Sequence, residues 1–350
     1  MTSESWRDLV DLDRLVQWMD GQGIESGPLE NIEQLAGGTQ NILLRFTRGG
    51  RAFVLRRPPR HPKMNGSGTM RREAQMLAAL AGSDVPHPRL IAACDGEEVL
   101  GVAFYLMEPV DGFNVTVGMP ALHAGDPAIR HKMGLALADG AAALGRVDHV
   151  AVGLADFGKA EGYLERQVAR WRSQLESYGE YQGWAGPSEI PGIEEVAAWL
   201  DANCPSSFTP GIIHGDYHLA NVMYRKDGPE LAAIVDWELT TIGDPLIDLG
   251  WLMATWPDEE GGRPGSPVIV QPWSGFPKIG ELVARYGEGS SRDLSAIGWY
   301  GVLACYKLGI ILEGSNARAS AGKAPRDIGD RLHATTIGLF QRALGMIARA

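Results

Sequence analysis

Cysteine is scarce in this 350-residue chain. Cys94, Cys204 and Cys305 stand apart, without the close spacing of metal sites or the even set of a disulfide framework. Their scatter points to a reducing compartment. Positive charge is in deficit as well: 32 Lys and Arg face 43 Asp and Glu, a formal net charge of −11. That balance argues against nucleic acid as the main partner. No apolar run approaches the roughly 18 residues of a membrane span. Residues 1–8 are polar and acidic and lack the basic and apolar segments of a secretion signal. The expectation is therefore a cytoplasmic protein that uses neither membrane nor nucleic acid, as a monomer or homodimer. No internal repeat is visible. Hydrophobic residues, at 45%, are ample for a core.

What is present is concentrated in residues 211–250. Ile212 and Ile213 read as the end of a buried strand, followed by a loop over 214–220 with Asp216 at its tip. Asn221 follows, then two short strands, 222–224 and 232–235, joined by the turn Lys226-Asp227-Gly228-Pro229. A hairpin of that length is expected to return Asp236 beside Asn221, so that both reach one ion. A carboxylate, an amide and a second carboxylate suit phosphoryl transfer. The first, Asp216, orients the attacking hydroxyl and accepts its proton, while Asn221 and Asp236 hold Mg²⁺ against the phosphates of ATP. Two other readings compete. Asp and Asn often only cap turns. His214, Asp216 and His218 also alternate and can gather on a metal as in a hydrolase, although that leaves Asn221 without a role.

Along the rest of the chain, helical spacing predicts helices over 5–20, 70–81, 128–146, 162–178, 192–203, 279–286, 294–313 and 327–348. Strands are expected over 32–35, 41–47, 51–56, 89–94 and 99–107, with Gly49-Gly50 as a hairpin turn. Period-two alternation puts Val54 and Arg56 on one strand face. Residues 257–277 are rich in Gly and Pro and carry Trp273 and Phe276, which marks a candidate flexible substrate loop. From 48 to 72 the chain holds Arg48, Arg51, Arg56, Arg57, Arg60, Lys63, Arg71 and Arg72 with no acidic residue. Such a basic stretch reads either as a plain solvated loop or as one that also attracts a second anion beyond ATP itself.

The string His214-Gly215-Asp216, four residues, Asn221, then Val235-Asp236-Trp237 and Gly243-Asp244-Pro245-Leu246-Ile247-Asp248-Leu249 resembles the aminoglycoside phosphotransferases and choline kinases, relatives of the protein kinases. The resemblance covers about residues 30–340. It implies an α+β, two-lobed protein-kinase-like fold. A small five-stranded antiparallel lobe with its helix would span 1–107, a hinge 108–112, and a larger, mainly helical lobe 113–350. It implies an enzyme, a small-molecule kinase that uses ATP and Mg²⁺. Gly37, Gly38 and Thr39 would cover the phosphates, and Val54 would touch adenine. Arg56 would reach the α- and β-phosphates where the family usually has Lys, and Glu73 would pair with it. Backbone groups of Glu108 and Val110 would bind adenine. His214 and Asp248 would be scaffold. Glu238, Trp273, Tyr300 and Lys307 would face the acceptor, with Tyr306 and Glu313 near them. The Arg56 departure leaves a catalytically weak pseudokinase as an alternative.

Within the family, Phe53-Val54-Leu55-Arg56-Arg57-Pro58-Pro59, Glu165-Arg166-Gln167 with Trp171, Asp236-Trp237-Glu238 and Ile311-Leu312-Glu313-Gly314 with Ala317-Arg318-Ala319 resemble a branch also found fused to acyl-CoA dehydrogenases. That branch points to hydroxy-acids or their CoA esters as acceptors. The residues themselves leave aminoglycoside, amino alcohol, hydroxy-acid and acyl-CoA open.

Overall fold

A computed structural model describes residues 6–35, 41–59, 65–257, 261–262 and 268–350. The chain forms two compact units, Met1–Asp111 with Ala232–Thr240, and Gly112–Leu231 with Thr241–Ala350. Residues 232–240 were expected in the second unit. They join the first because Ile234 N–H donates to the Pro86 carbonyl at 2.8 Å and Asp236 pairs with Arg56.

In the first unit, helix α1 (Leu12–Gly21) is capped by Asp11, whose side chain accepts the Arg14 N–H at 3.0 Å. The helix expected over 5–20 is broken, with Trp6–Asp8 a separate 3₁₀ turn. Strands β1 (Glu30–Gln34), β2 (Ile42–Arg48), β3 (Arg51–Arg57), β4 (Leu90–Cys94) and β5 (Phe104–Met107) form one antiparallel sheet in the order β1-β2-β3-β5-β4. Gly49 and Gly50 both adopt positive φ, as a two-residue hairpin turn requires, and this sets Arg48 opposite Arg51. Alternation then sorts the side chains. Ile42, Leu44, Phe46, Phe53 and Leu55 pack with Leu15 and Met19 of α1. Val54 and Arg56 take the other face, where helix α2 (Gly66–Ala79) presents Glu73 to Arg56. The start of α2 precedes the expected one because Asn65 caps it and accepts the Gly68 N–H at 2.9 Å.

The second unit carries α3 (Ala121–Gly125), α4 (Pro127–Arg146), α5 (Glu165–Ser177), α6 (Ile193–Ala202), α7 (Leu246–Thr255), α8 (Ile279–Glu288), α9 (Ile297–Ser320) and α10 (Arg326–Ile347). Strand β6 (Gly211–Ile213) leads to β7 (Val222–Tyr224), and β9 (Thr241–Gly243) returns to pair with β6 antiparallel, while β8 (Leu231–Ile234), but for Leu231, falls in the first unit. The turn after β7 is closed by Arg225 N–H on the Glu230 carbonyl at 2.9 Å. Helix α9 lies at the centre, with α5, α6, α7 and α10 packed on it. Its approach to α7 requires Gly250, where a Cβ would sit 2.5 Å from the Tyr300 carbonyl oxygen. The helix is longer than expected and runs through Gly314. Among the described residues, no helix is long and apolar enough to cross a membrane.

The flexible substrate loop expected over 257–277 is corrected in its described part. Trp273 stacks on Phe276 at 4.4 Å and meets the edge of Trp256, and Arg130 donates to the Ser274 carbonyl at 2.6 Å. Trp273 and Trp256 belong to the packed interior of the second unit, with Phe276 half-buried over them and Ser274 at the surface.

The described part of the basic stretch is engaged within the protein. Arg48 is 1% exposed and donates to the Gly27 and Ile24 carbonyls as well as to Asp20. Arg51 bonds Glu108, Arg56 bonds Glu73 and Asp236, Arg57 bonds the Pro58 and Leu9 carbonyls, Arg71 bonds the Asp95 carbonyl and Arg72 that of Thr240. Arg48, Arg56 and Arg57 are buried, whereas Arg51, Arg71 and Arg72 are exposed, and each of the six has at least one donor on a protein acceptor. Arg60 and Lys63 lie outside the described residues.

Two predictions follow from this framework. Arg48→Met leaves two inward carbonyls without their donor, and it should lower stability to urea by about 1–3 kcal/mol. Arg45→Met, which removes an exposed pair with Glu33, should change it by less than about 0.5 kcal/mol. Equal effects would contradict this assignment. The second concerns Asp248 of α7, whose carboxylate accepts the His214 and Gly215 N–H groups at 2.6 and 2.9 Å. Burial pushes this group up to about 7, against the pull of those two donors and of Lys307. The unfolded chain releases the proton near about 4. Between those values the folded chain binds more protons, so this group removes stability as pH rises, by up to about 1.4 kcal/mol per pH unit. Unfolding of the wild type and of Asp248→Asn across that window should show a steeper decline for the wild type, and parallel curves would refute it.

Candidate active site

In the first unit the chemistry gathers on Arg56. Its Nη2 donates to Asp236 Oδ1 at 2.7 Å and to Glu73 Oε1 at 3.2 Å, while Nε lies 2.8 Å from Glu73 Oε2 without hydrogen-bond alignment. Tyr105, opposite Arg56 on β5, donates its hydroxyl to Glu73 Oε2 at 2.7 Å. Burial works against the Arg56 charge, but Glu73, Tyr105 and Asp236 outweigh it and hold the guanidinium charged. Burial raises the Glu73 carboxyl, and Arg56 and Tyr105 pull it back. Asp236 stands at φ +68°, a left-handed backbone unusual for a residue with a side chain. Such strain concentrates at functional positions.

Val54 is buried beside Arg56 in the strand. Glu108 donates its N–H to the Arg89 carbonyl at 2.9 Å and accepts from Arg51, so its own carbonyl is the group it offers a ligand. Val110 follows in the irregular segment that ends the first unit. Glu238 also belongs to the first unit and accepts a long, 3.5 Å bond from Asn41. Gly37, Gly38 and Thr39 lie outside the described residues.

In the second unit, the loop after β6 presents Asp216. Asn221 donates Nδ2 to the Asp216 carbonyl at 2.9 Å and to Oδ2 at 2.8 Å. Trp251 Nε1 donates to Oδ1 at 2.9 Å. His218 Nδ1 accepts the Ala220 N–H at 3.1 Å, which leaves the ring proton on Nε2, 3.1 Å from Asp216 Oδ1. Burial alone raises the Asp216 carboxyl. The His218 bond, with the nearby His214 and the Trp251 bond, reverses this and holds it well below the ordinary carboxylate range. His214 is fully buried, and its Nδ1 faces the Asp216 N–H at 3.3 Å. Both imidazoles thus use Nδ1 on the backbone, and among the described residues no three of His, Cys, Asp and Glu gather as a metal site. The metal-hydrolase alternative has no ligand set there.

Each unit by itself carries an oxygen donor of the kind a hard cation takes. In the second, Asn221 has Nδ2 on Asp216 and keeps its Oδ1. In the first, Asp236 has Oδ1 on Arg56 and keeps its second carboxylate oxygen.

The acceptor-facing group divides. Tyr300 is buried, with its hydroxyl on Asp244. Tyr306 packs edge-on against Phe340. Glu313 is buried and accepts from Trp184, Asn316 and His333. With Trp273, these three hold helices together. Lys307 is different. Its Nζ donates to the Gly215 carbonyl at 3.2 Å, beside Asp216, and stands over the Trp251 ring at 4.3 Å and the Trp171 ring at 5.6 Å. Burial pulls its pKa down to about 8 against the opposing charges of Asp216 and Asp248.

Two residues of the site escaped the sequence reading. Asn114 donates to the carbonyls of Leu219, Ala220 and Val222 and so braces the loop around Asn221. Nothing in its local sequence marks it. Trp251 carried a signal, since it stands one helical turn after Asp248, and positions three apart share a helix face.

The chain matches the Phosphotransferase enzyme family over residues 31–289. It is 29% identical to acyl-CoA dehydrogenase family member 11 of Gallus gallus over 302 residues, covering 84% of this chain and 37% of that protein. It is 28% identical to acyl-CoA dehydrogenase family member 10 of Mus musculus, covering 85% of this chain and 27% of that one. It therefore spans only about a third of these relatives. Among solved structures it is similar to a protein of Ralstonia eutropha JMP134 provisionally named an aminoglycoside phosphotransferase: TM-score 0.79, 28% identity, 96% of this chain and 98% of that one. The aminoglycoside phosphotransferase APH(4)-Ia, in a ternary complex with AMP-PNP and hygromycin B, shares the fold alone, at TM-score 0.58 and 14% identity over 92% of this chain and 97% of that one. The five-stranded antiparallel sheet with its helix, the larger helical unit and these likenesses establish a kinase-like fold, and the chain belongs to the phosphotransferase enzyme family.

Proposed function

We propose that this protein transfers the γ-phosphoryl group of ATP to a hydroxyl of a small molecule, with Asp216 as the base. The observation that carries this is the Asn221–Asp216 pair, in which the amide nitrogen fixes the carboxylate and so would leave the amide oxygen for a cation. The acceptor oxygen forms a bond to the γ-phosphorus, the bond from that phosphorus to the bridging oxygen breaks, and ADP leaves with the electron pair. The acceptor proton passes to Asp216. A carboxyl held this low is a weak base, which suits a loose transition state in which the proton moves late. Its larger contribution is to orient the hydroxyl. Asn221 and Asp236 would hold Mg²⁺, which when bound neutralises phosphate charge. Arg56, kept charged by Glu73, would take phosphate oxygens, and Val54, Glu108 and Val110 would receive the adenine. Similarity to acyl-CoA dehydrogenase family members makes hydroxy-acids and their CoA esters the first acceptors to screen, ahead of amino alcohols and aminoglycosides, by mass gain of one phosphoryl group.

Asp216→Asn should bind nucleotide as the wild type does but lose about 10²- to 10⁴-fold in turnover. Wild-type turnover in that variant would remove the base assignment. Asn221→Ala and Asp236→Ala should weaken binding of ADP with Mg²⁺ in calorimetric titrations while changing metal-free ADP binding less. Arg56 reaches two carboxylates with a fork that Lys cannot reproduce. Arg56→Lys should therefore lose most of the nucleotide affinity that Arg56→Ala loses, and near-complete retention in the Lys variant would count against the forked role.

A further inference from the structure

Asp216 can accept about four hydrogen bonds as a carboxylate, two on each oxygen. Oδ1 faces Trp251 Nε1 at 2.9 Å and His218 Nε2 at 3.1 Å. Oδ2 faces Asn221 Nδ2 at 2.8 Å. One acceptor position is left, and it is on Oδ2. If Asp216 is the base proposed above, Oδ2 is the atom that receives the acceptor hydroxyl. The carboxylate must then be prevented from rotating.

The same indole that donates to Oδ1 carries the Lys307 ammonium on its face, 4.3 Å from the ring centroid. Lys307 is held there from two more sides, by its bond to the Gly215 carbonyl at 3.2 Å and by the Trp171 ring at 5.6 Å. A cation on an aromatic face is attracted by the ring quadrupole. It draws π density towards itself, which strengthens the indole N–H as a donor, as polarised hydrogen-bond chains do. Lys307 thus acts on Asp216 twice, through the backbone of the preceding residue and through Trp251.

We infer that Trp251 and Lys307 form a single positioning unit that locks Asp216 Oδ1 and reserves Oδ2 for the acceptor hydroxyl. Neither residue takes part in the chemistry. Loss of either frees the carboxylate to turn, which lowers turnover without loosening nucleotide. Displacements of this size around a reacting group are worth on the order of 10- to 100-fold in rate.

The test has two arms on the full chain. In the first, ADP release from Mg·ATP is followed with water as the phosphoryl acceptor. Trp251→Phe keeps a ring for Lys307 but removes the N–H, and should lower kcat by about 10- to 100-fold with KM for ATP unchanged. Lys307→Met should lower kcat by less, and the double variant should fall little below Trp251→Phe, because both act through one bond. Thermal unfolding and binding of a fluorescent nucleotide exclude misfolding as the cause. In the second arm, the indole ¹⁵N–¹H resonance of Trp251, identified by its loss in Trp251→Phe, should shift in Lys307→Met and in Asp216→Asn. An indole resonance unmoved by Lys307→Met overturns the unit whatever the activity shows. Wild-type turnover in Trp251→Phe beside an inactive Asp216→Asn overturns the positioning role alone. Wild-type turnover in Asp216→Asn overturns the base assignment and this inference with it.

Discussion

Two backbone N–H groups, those of His214 and Gly215, end on one carboxylate, and the second unit depends on that arrangement. Where β6 stops, the ladder no longer supplies acceptors, and buried amide hydrogens without partners are costly. Asp248 supplies both acceptors from the first turn of α7. Helix α7 is in turn fixed by its close approach to α9 at Gly250. The position of Asp216 is therefore inherited from helix packing. Lys307 completes the arrangement from α9 by taking the Gly215 carbonyl, so both polar groups of that peptide segment are tied to helices. A loop held in this way has little freedom to lose when a substrate arrives.

The first unit handles charge differently. One cation, Arg56, faces two carboxylates, Glu73 and Asp236. Glu73 is buried and takes a further bond from Tyr105, so its charge is matched locally. Asp236 is more exposed and shares only one guanidinium nitrogen. The group carries one negative charge more than Arg56 can balance, and the excess falls on the residue with the left-handed backbone. On the proposed function a hard divalent cation would satisfy that excess, and strain of this kind persists where function requires it.

The sheet was legible because alternation and glycine turns are local. Gly49-Gly50 and the apolar alternation of 42–57 fix the hairpin and its two faces without reference to the rest of the chain. Helix ends were less legible, since caps such as Asn65 act over three residues and compete with other signals. The spacing of His214, Asp216 and Asn221 was legible because one loop carries all three. Asn114 was not, since its three carbonyl partners lie more than 100 residues further along the chain. The arginines of 48–72 misled for a related reason. A run of cations reads as a solvated surface, but a guanidinium with five donors can be buried wherever carbonyls are left over, as Arg48 and Arg57 are, and carbonyls leave no trace in sequence.

Trp251 shows how far such a reading can be extended. Once Asp248 is placed under the loop, the helix period dictates which neighbours look the same way. Position 251 is one turn further on and must face the segment that Asp248 braces. Position 256 is eight residues on, close to the same face by period, but α7 ends at Thr255, so the period no longer applies to it, and Trp256 instead donates to the Pro277 carbonyl. One anchored residue thus converts a helix from a pattern of burial into a set of directions, valid as far as the helix runs. Tyr300, Tyr306 and Lys307, all expected to face the acceptor, could not be separated in this way, because α9 is packed on several sides and no single anchor tells its faces apart. Only the neighbouring indoles and the Gly215 carbonyl distinguish Lys307 from the tyrosines around it.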